Sequence, residues 1–532
     1  MRGMKLRMSI DALGVGATVG LLAEVLVLRV NPEVTQTLSG VFIGLPFWAS
    51  WGMLLVGLPV LVGLAIVDRF RPDPDRWTAP TLSVLAFLVA MVLTAVNAKL
   101  LALLLSGPAH RVLVQDSVAW GIAAALAFIA GKAVRRFGGG LGWQVAFSIA
   151  MMMLPMLRVI TAPTPPREYL EVAARPLGIP DRRLLVVGLE GLDAKVLLAD
   201  AASASYPNLA RLREMGARAP ISPHRPFLRL ALWTSAATGT YPGRHGVKDH
   251  RGWDLPLVFS ETLRLLPWTP EGSRMILPWG LSTQVPPPPA TVAPLWARFD
   301  ASGVATRVFG WPGSWGDDPS LHGSLRDEGG VALEVTIRDS LEEALESLPE
   351  RRSQIWNAIL EDQARVEAAV GALREGVGDV WVHLEALSLA RRYYEPLRPR
   401  HTRERLLLEL MMELTDDQLG TLFGAVDDDV LVAVVSPFGL APPGSFERLK
   451  RTFGGGDTWH TSAESCPDGL FILLGDGVEP GHRVPAARPP DVAPTLCYLL
   501  GLPVAQYMEG SVVVGMVTPL FLEEHPLRIV DS

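Results

Sequence analysis

The chain has 532 residues, 49% of them hydrophobic, and a formal charge of −7. That length implies about two to four domains, and the slightly acidic balance removes any electrostatic case for nucleic-acid binding. Two cysteines, Cys466 and Cys497, exclude a disulfide framework and a cysteine-rich metal site, while their spacing leaves open whether they pair.

The apolar residues concentrate before about residue 162. Five runs there, near 11–29, 41–67, 81–106, 112–131 and 142–161, reach the roughly 17 to 25 residues that cross a bilayer as a helix. Asp11 and Glu24 interrupt the first run, whose rival reading is a cleaved signal peptide. No small-residue cleavage site followed by a polar start supports that rival, so the run is read as a retained helix. Residues 1–162 therefore form a membrane domain.

Basic residues set its orientation. Arg2, Lys5 and Arg7 precede the first span, Arg69, Arg71 and Arg76 separate the second from the third, and Lys132, Arg135 and Arg136 precede the fifth. By the positive-inside rule these segments share the cytoplasmic side. The expectation is a multi-pass protein of the cytoplasmic (inner) membrane. Its N-terminus is cytoplasmic, and an odd number of crossings places everything after about 162 on the periplasmic or extracellular side. Glu24 and Lys99 fall within apolar spans at similar depth, where an unpaired charge is expensive; an ion pair between them is expected, the alternative being a Lys99 that snorkels to the interface.

Residues 163–182, rich in proline and charge, read as an exit linker. Beyond it, 183–532 alternates strand-like and helical patterns. "LLVVGL" (184–189), "VATRVFGW", "VWVHLEA", "VLVAVVSPFG" and "GLFILLGDGV" read as strands. "PNLARLREMGA", "VAPLWARFDASG", the charged 334–375 region and "ERLLLELMMEL" read as helices. Such alternation predicts an α/β domain with a mostly parallel sheet covered by helices. Its chemistry should gather at the carboxyl ends of the strands.

Several segments occur in one order: "LLVVGLEGLDAKVL", "YPNLARLREMGARAP", "LWTSAATGTYPGRHGV", "VLVAVVSPFG", "CPDGLFILLGDGV" and "PDVAPTLCYLLGLPVAQYMEGSVV". This order resembles the type I phosphodiesterase/nucleotide pyrophosphatase family of the alkaline phosphatase superfamily, over nearly all of 183–515. The resemblance implies an alkaline-phosphatase-like fold and a Thr or Ser nucleophile held between two metal ions, usually zinc. Thr234 occupies the matching position, and a place at a helix start would aim backbone N–H groups at an anion. The plain alternative is that Thr234 and Ser235 cap that helix.

The ligand set that the resemblance implies is incomplete. After the first strand the family has Asp where this chain has Glu190. The Asp-His pair expected after "VVS" is replaced by Pro437 and Phe438. In "HLEALSLARRYYEP", Glu385 matches a family Asp and Leu389 stands in place of its His; moving the alignment one residue earlier gives Leu384 and Ser388. His460 matches a final His, several residues early. The retained candidates are Glu190, Thr234, Glu385 and His460, fewer donors than two zinc sites require. His245 and His250 read as structural or surface residues, and His383 as a core or edge histidine.

The reading that follows is a membrane-anchored, phosphodiesterase-like protein with a dismantled metal centre, a pseudoenzyme that binds or scaffolds at the cell envelope. Its expected partners are the lipid bilayer, a phosphate-containing or lipid-linked ligand and a membrane protein. The alternative is an active phosphodiesterase or phosphotransferase that uses Thr234 with zinc or manganese on a phosphodiester or lipid head group. A third possibility places another hydrolytic chemistry in the same cleft, with Glu190 or Glu385 as base.

Overall fold

The computed structural model describes residues 2–34, 38–70, 78–136, 140–160, 175–192, 206–248, 251–255, 258–259, 261–267, 282–284, 290–313, 335–346, 352–394, 402–440 and 466–531. The chain divides into two compact units, one of 1–169 with 248–286, the other of 170–247 with 287–532.

The first unit is built from α1 (Arg2–Val30), α2 (Leu38–Gly52), α3 (Leu58–Phe70), α4 (Ala79–Leu100), α5 (Gly107–Arg136) and α6 (Leu141–Ile160). A π-helical turn, Met53–Gly57, joins α2 to α3, so the described residues offer five stretches long and apolar enough to cross a membrane. The first is the most buried, and α1 packs against α2, α4 and α6. Residues such as Val62, Val92, Val118, Ile122 and Leu157 face outward, the pattern lipid would cover.

Glycine sets the closest crossing. A Cβ on Gly20 would stand 1.9 Å from the carbonyl oxygen of Trp48, and one on Gly52 would stand 2.2 Å from that of Gly16. The small residues at 16 and 20 therefore let α1 meet the α2 backbone directly.

The buried charges pair differently from the sequence expectation. Glu24 is fully buried, neither of its oxygens has a hydrogen-bond partner among the described residues, and Lys99 is exposed. Among the described residues the ion pair within the helices joins Arg29 of α1, Asp116 of α5 and Arg158 of α6. Three helices thus meet at one cluster in which a single carboxylate, Asp116, serves two guanidinium groups. Asp11 serves a separate purpose: one of its oxygens accepts from the backbone N–H groups of Thr78 and Ala79 at the start of α4.

Residues 248–286, assigned by sequence to the exported domain, belong to this first unit. Leu255, Val258, Phe259 and Leu263 join the apolar core of the helices. Asn31 accepts from the N–H groups of Arg264 and Leu265 and donates to the Leu265 carbonyl. Lys248 pairs with Glu33 at 2.8 Å. The boundary therefore differs from a single cut near 162–183, because this segment's apolar residues find their burial against the helices.

The second unit contains β1 (Arg183–Leu189), α7 (Pro207–Met215), β2 (Ala217–Ile221), α8 (Arg229–Thr238), α9 (Leu295–Ala301), β3 (Thr306–Phe309), α10 (Arg352–Arg374), β4 (Asp379–Leu384), α11 (Ala386–Tyr394), α12 (Thr402–Phe423), β5 (Val430–Ser436), β6 (Gly469–Leu474) and α13 (Val492–Leu499). Its sheet has the order β2-β6-β5-β1-β4-β3. The β5–β1, β1–β4 and β4–β3 pairs are parallel, and β6 pairs antiparallel with both β5 and β2. The sheet is therefore mixed, with its parallel half carrying the central strands. These strands are buried along almost their whole length, which accounts for their unbroken apolar sequences. One face packs Trp233, Trp296, Trp311 and Trp381 edge to face, with centroids 4.9–6.0 Å apart.

Candidate functional site

Parallel register brings the carboxyl ends of β1 and β4 together: Leu189 pairs with Leu384, so Glu190 and Glu385 follow side by side. The Glu190 N–H donates to the Leu384 carbonyl at 3.0 Å, extending the ladder to the site. Gly191 then turns the chain with a φ of 76°, a conformation that favours glycine.

Glu190 is buried, with a relative exposure of 2%. Its carboxylate receives the Arg229 Nε at 2.8 and 2.7 Å and the Ser388 hydroxyl at 3.2 Å, and it also binds Arg392. Arg229 reaches Glu385 as well, at 3.1 Å. The other Glu385 oxygen lies 3.7 Å from Arg365, and Arg365 pairs with Asp362 at 3.0 Å. Asp362 in turn accepts the backbone N–H groups of Glu385 and Ala386 at 2.8 Å each, fixing the start of α11. The result is a continuous network of alternating charge at the strand ends.

Burial works against ionisation of Glu190, but the charges of Arg229 and Arg392 and the approach of His383 override it and hold the carboxyl well below its ordinary range. Burial lowers the pKa of His383, which favours the neutral imidazole. Its Nε2 stands 3.5 Å from Glu190, too far for a well-formed hydrogen bond, and its ring packs edge-on against Trp233 at 4.7 Å.

Thr234 is not at the helix start. Leu228 is the N-cap and Arg229 the first residue of α8, so Thr234 is the sixth. Its hydroxyl donates to the Leu230 carbonyl at 3.0 Å, and it is 4% exposed. Gly313 passes so close that an added Cβ would stand 2.7 Å from that hydroxyl oxygen. Among the described residues Thr234 makes no hydrogen bond to Glu190 or Glu385. The side chain that projects from the helix start toward both glutamates is Arg229.

Beyond β5, Phe438 is fully buried. It packs edge-on against Phe227 with centroids 4.8 Å apart, and burying such a ring contributes about 1.5–3 kcal/mol. The Ser436 hydroxyl closes the turn by donating to the Phe438 carbonyl at 3.0 Å. Gly469 runs against that turn, where an added Cβ would lie 1.9 Å from the Ser436 carbonyl oxygen. Backbone and aromatic packing thus fill this corner.

His245 is buried at the end of a short helical turn. Its Nδ1 accepts the Val247 N–H, and its Nε2 faces the Ser235 hydroxyl at 3.1 Å. His460 and His250 lie outside the described residues.

The family model for type I phosphodiesterase/nucleotide pyrophosphatase matches residues 184–451. The chain belongs to this family. Among solved structures, murine ectonucleotide pyrophosphatase/phosphodiesterase 5 is 12% identical, with 63% of this chain and 100% of that one covered at a TM-score of 0.36. An inactive variant of the same murine protein in complex with AMP is 13% identical, with 60% and 96% covered and a TM-score of 0.35. BT1596, a 2-O GAG sulfatase, is 12% identical, with 63% and 74% covered and a TM-score of 0.38. No curated protein matches the chain significantly.

Among the described residues, those around Glu190 and Glu385 do not fit the divalent metal usual in the type I phosphodiesterase family. A cation placed at Glu190 would have to displace two guanidinium groups of its own sign, and at Glu385 it would meet Arg229 and Arg365. Among the described residues no group of three or more His, Cys, Asp or Glu side chains converges as a metal site. Glu190 and Glu385, expected from sequence as metal ligands, meet here with Arg229, Arg392, Arg365 and Asp362, which the sequence reading did not name. The available signals were an Arg opening the apolar run "RLALW" and the Arg pair in "LARRYY".

Proposed function

We propose that this chain is a membrane-anchored member of the type I phosphodiesterase family whose cleft has become an internal ion-pair network. The domain then acts by binding or scaffolding at the cell envelope. The observation that carries this reading is Glu190 held between Arg229 and Arg392. Phosphoryl transfer needs cations free to meet the charge developing around phosphorus, and a hydroxyl needs a metal or base before it attacks. Here the guanidinium groups are neutralised by glutamates, and the Thr234 proton is committed to a backbone carbonyl.

The five apolar stretches and the distribution of basic residues support a multi-pass protein of the cytoplasmic membrane with a cytoplasmic N-terminus and the second unit outside. The bilayer is then one partner, and a membrane protein or a phosphate-containing or lipid-linked ligand is the other. Introduced cysteines tested with a membrane-impermeant maleimide check the topology: labelling in intact cells is expected at exposed positions after 175 and absent in the loop between α3 and α4.

The decisive experiment measures metal content and hydrolysis of an aryl phosphodiester by the purified full-length protein. Expected are no stoichiometric zinc or manganese and no turnover above background. Bound metal with turnover abolished by Thr234→Ala would overturn the reading.

A further inference from the structure

A second group of charges lies on other elements of the same unit. Arg298, on α9, is fully buried, and none of its three guanidinium nitrogens has a hydrogen-bond partner among the described residues. Its guanidinium lies 4.5 Å from the ring centroid of Tyr507, whose hydroxyl is also buried and unpartnered there. Arg244 places a second guanidinium 5.9 Å from the same ring centroid. Arg175 adds a further positive charge to the surroundings of Arg298.

Two cations thus share one aromatic ring, and among the described residues no carboxylate is hydrogen-bonded to Arg298. A cation–π contact returns only part of the hydration a buried guanidinium loses. Its planar fork of donors is suited to the oxygens of phosphate or sulfate. The Tyr507 hydroxyl supplies one more donor, and the half-buried Arg244 brings a second guanidinium to the same ring.

We propose that Arg298, Arg244 and Tyr507 form a binding site for a small oxyanion, a phosphate or sulfate group. An anion there satisfies donors that the protein itself leaves unmet and neutralises two like charges. The site uses none of the residues in the network around Glu190, so it stands or falls independently of the proposed loss of hydrolysis.

The test is thermal unfolding of the full-length protein in detergent, with phosphate or sulfate compared against chloride at matched ionic strength. Phosphate is expected to raise the midpoint by about 3–6 °C at saturating concentration. Arg298→Met should abolish the shift, and Arg244→Gln should at least halve it. Glycerol 3-phosphate, run in parallel, separates the sources: a matching shift assigns the site to a phosphomonoester, and a shift with inorganic anions alone assigns it to a free ion. Absence of an oxyanion-specific shift in the wild type overturns the proposal. So does an undiminished shift in Arg244→Gln, the half-buried variant that decides the matter should Arg298→Met not fold.

Discussion

The Nε of Arg229 lies 2.8 and 2.7 Å from the two carboxylate oxygens of Glu190, so the first residue of α8 is tied to the residue that follows β1. Removing the carboxylate takes the counter-charge from Arg392 and leaves Arg229 with Glu385 alone. Glu190→Gln should therefore destabilise the second unit by about 3 kcal/mol, read from urea unfolding. The value sits at the low end for a broken buried pair because each arginine side chain is 24% exposed and can turn to water. Arg229→Gln should cost less, about 1 kcal/mol, since Arg392 still neutralises Glu190. Equal losses in the two variants would contradict this account.

Glu190 and Glu385 are legible in the sequence because strand ends are local features: an apolar run stops and an acidic residue follows. The apolar helices and the alternation of strands and helices are legible for the same reason. The partners of Glu190 are not, since Arg229 and Arg392 lie 39 and 202 residues away along the chain. The depth of Thr234 within its helix is hidden too, because α8 begins without a Ser, Thr, Asp or Asn cap; Leu228 stands there instead. That apolar start conceals the helix boundary and makes a hydroxyl inside the helix look like one at its opening.

His224 gives the second unit a defined acid response. Burial lowers its pKa from 6.5 to about 4, so below pH 6.5 the unfolded chain takes up a proton that the folded chain refuses. The contribution of His224 is complete above 6.5 and falls toward pH 4 by about 1.4 kcal/mol per pH unit, beside those of His245 and His383, whose pKa values burial also lowers. Glu190, held low when folded, contributes a loss only below about pH 4.5, so the upper part of the window belongs to histidine. His224→Phe keeps a ring beside Tyr241 and removes the titration. At pH 5 it should be more stable than the wild type by about 2 kcal/mol, with a smaller difference at pH 7.5. A constant difference across that range would exclude the buried imidazole as the cause.

The crossing of α1 and α2 makes a steric prediction. At Gly20 the group an added Cβ would meet is the Trp48 carbonyl oxygen, at 1.9 Å, and backbone cannot swing aside as a side chain would. Gly20→Ala should force the helices apart and lower the detergent-solubilised melting temperature, at a cost of about 1–3 kcal/mol. Gly63→Ala is the control, because nothing lies within 4 Å of its added Cβ; exchanging glycine there should be neutral or slightly stabilising.

The cluster of Arg29, Asp116 and Arg158 yields a test that also judges the pairing expected from sequence. Asp116 is fully buried and answers two cations, at 2.5 Å from Arg29 and 3.3 Å from Arg158. Asp116→Asn leaves Arg29, itself 7% exposed, without a counter-charge among apolar helices, and should lower folded yield in detergent severalfold. Asp116→Arg should be worse still, and combining it with Arg29→Asp should recover part of the loss, because the pair is restored with opposite polarity. Recovery stays partial because Arg158 then faces a cation of its own sign at position 116 instead of a carboxylate. Glu24→Lys with Lys99→Glu should show no such recovery: among the described residues Glu24 has no partner to exchange, and Lys99 faces outward. Rescue at 24 and 99 without rescue at 29 and 116 would mean that the helices pack in a different register.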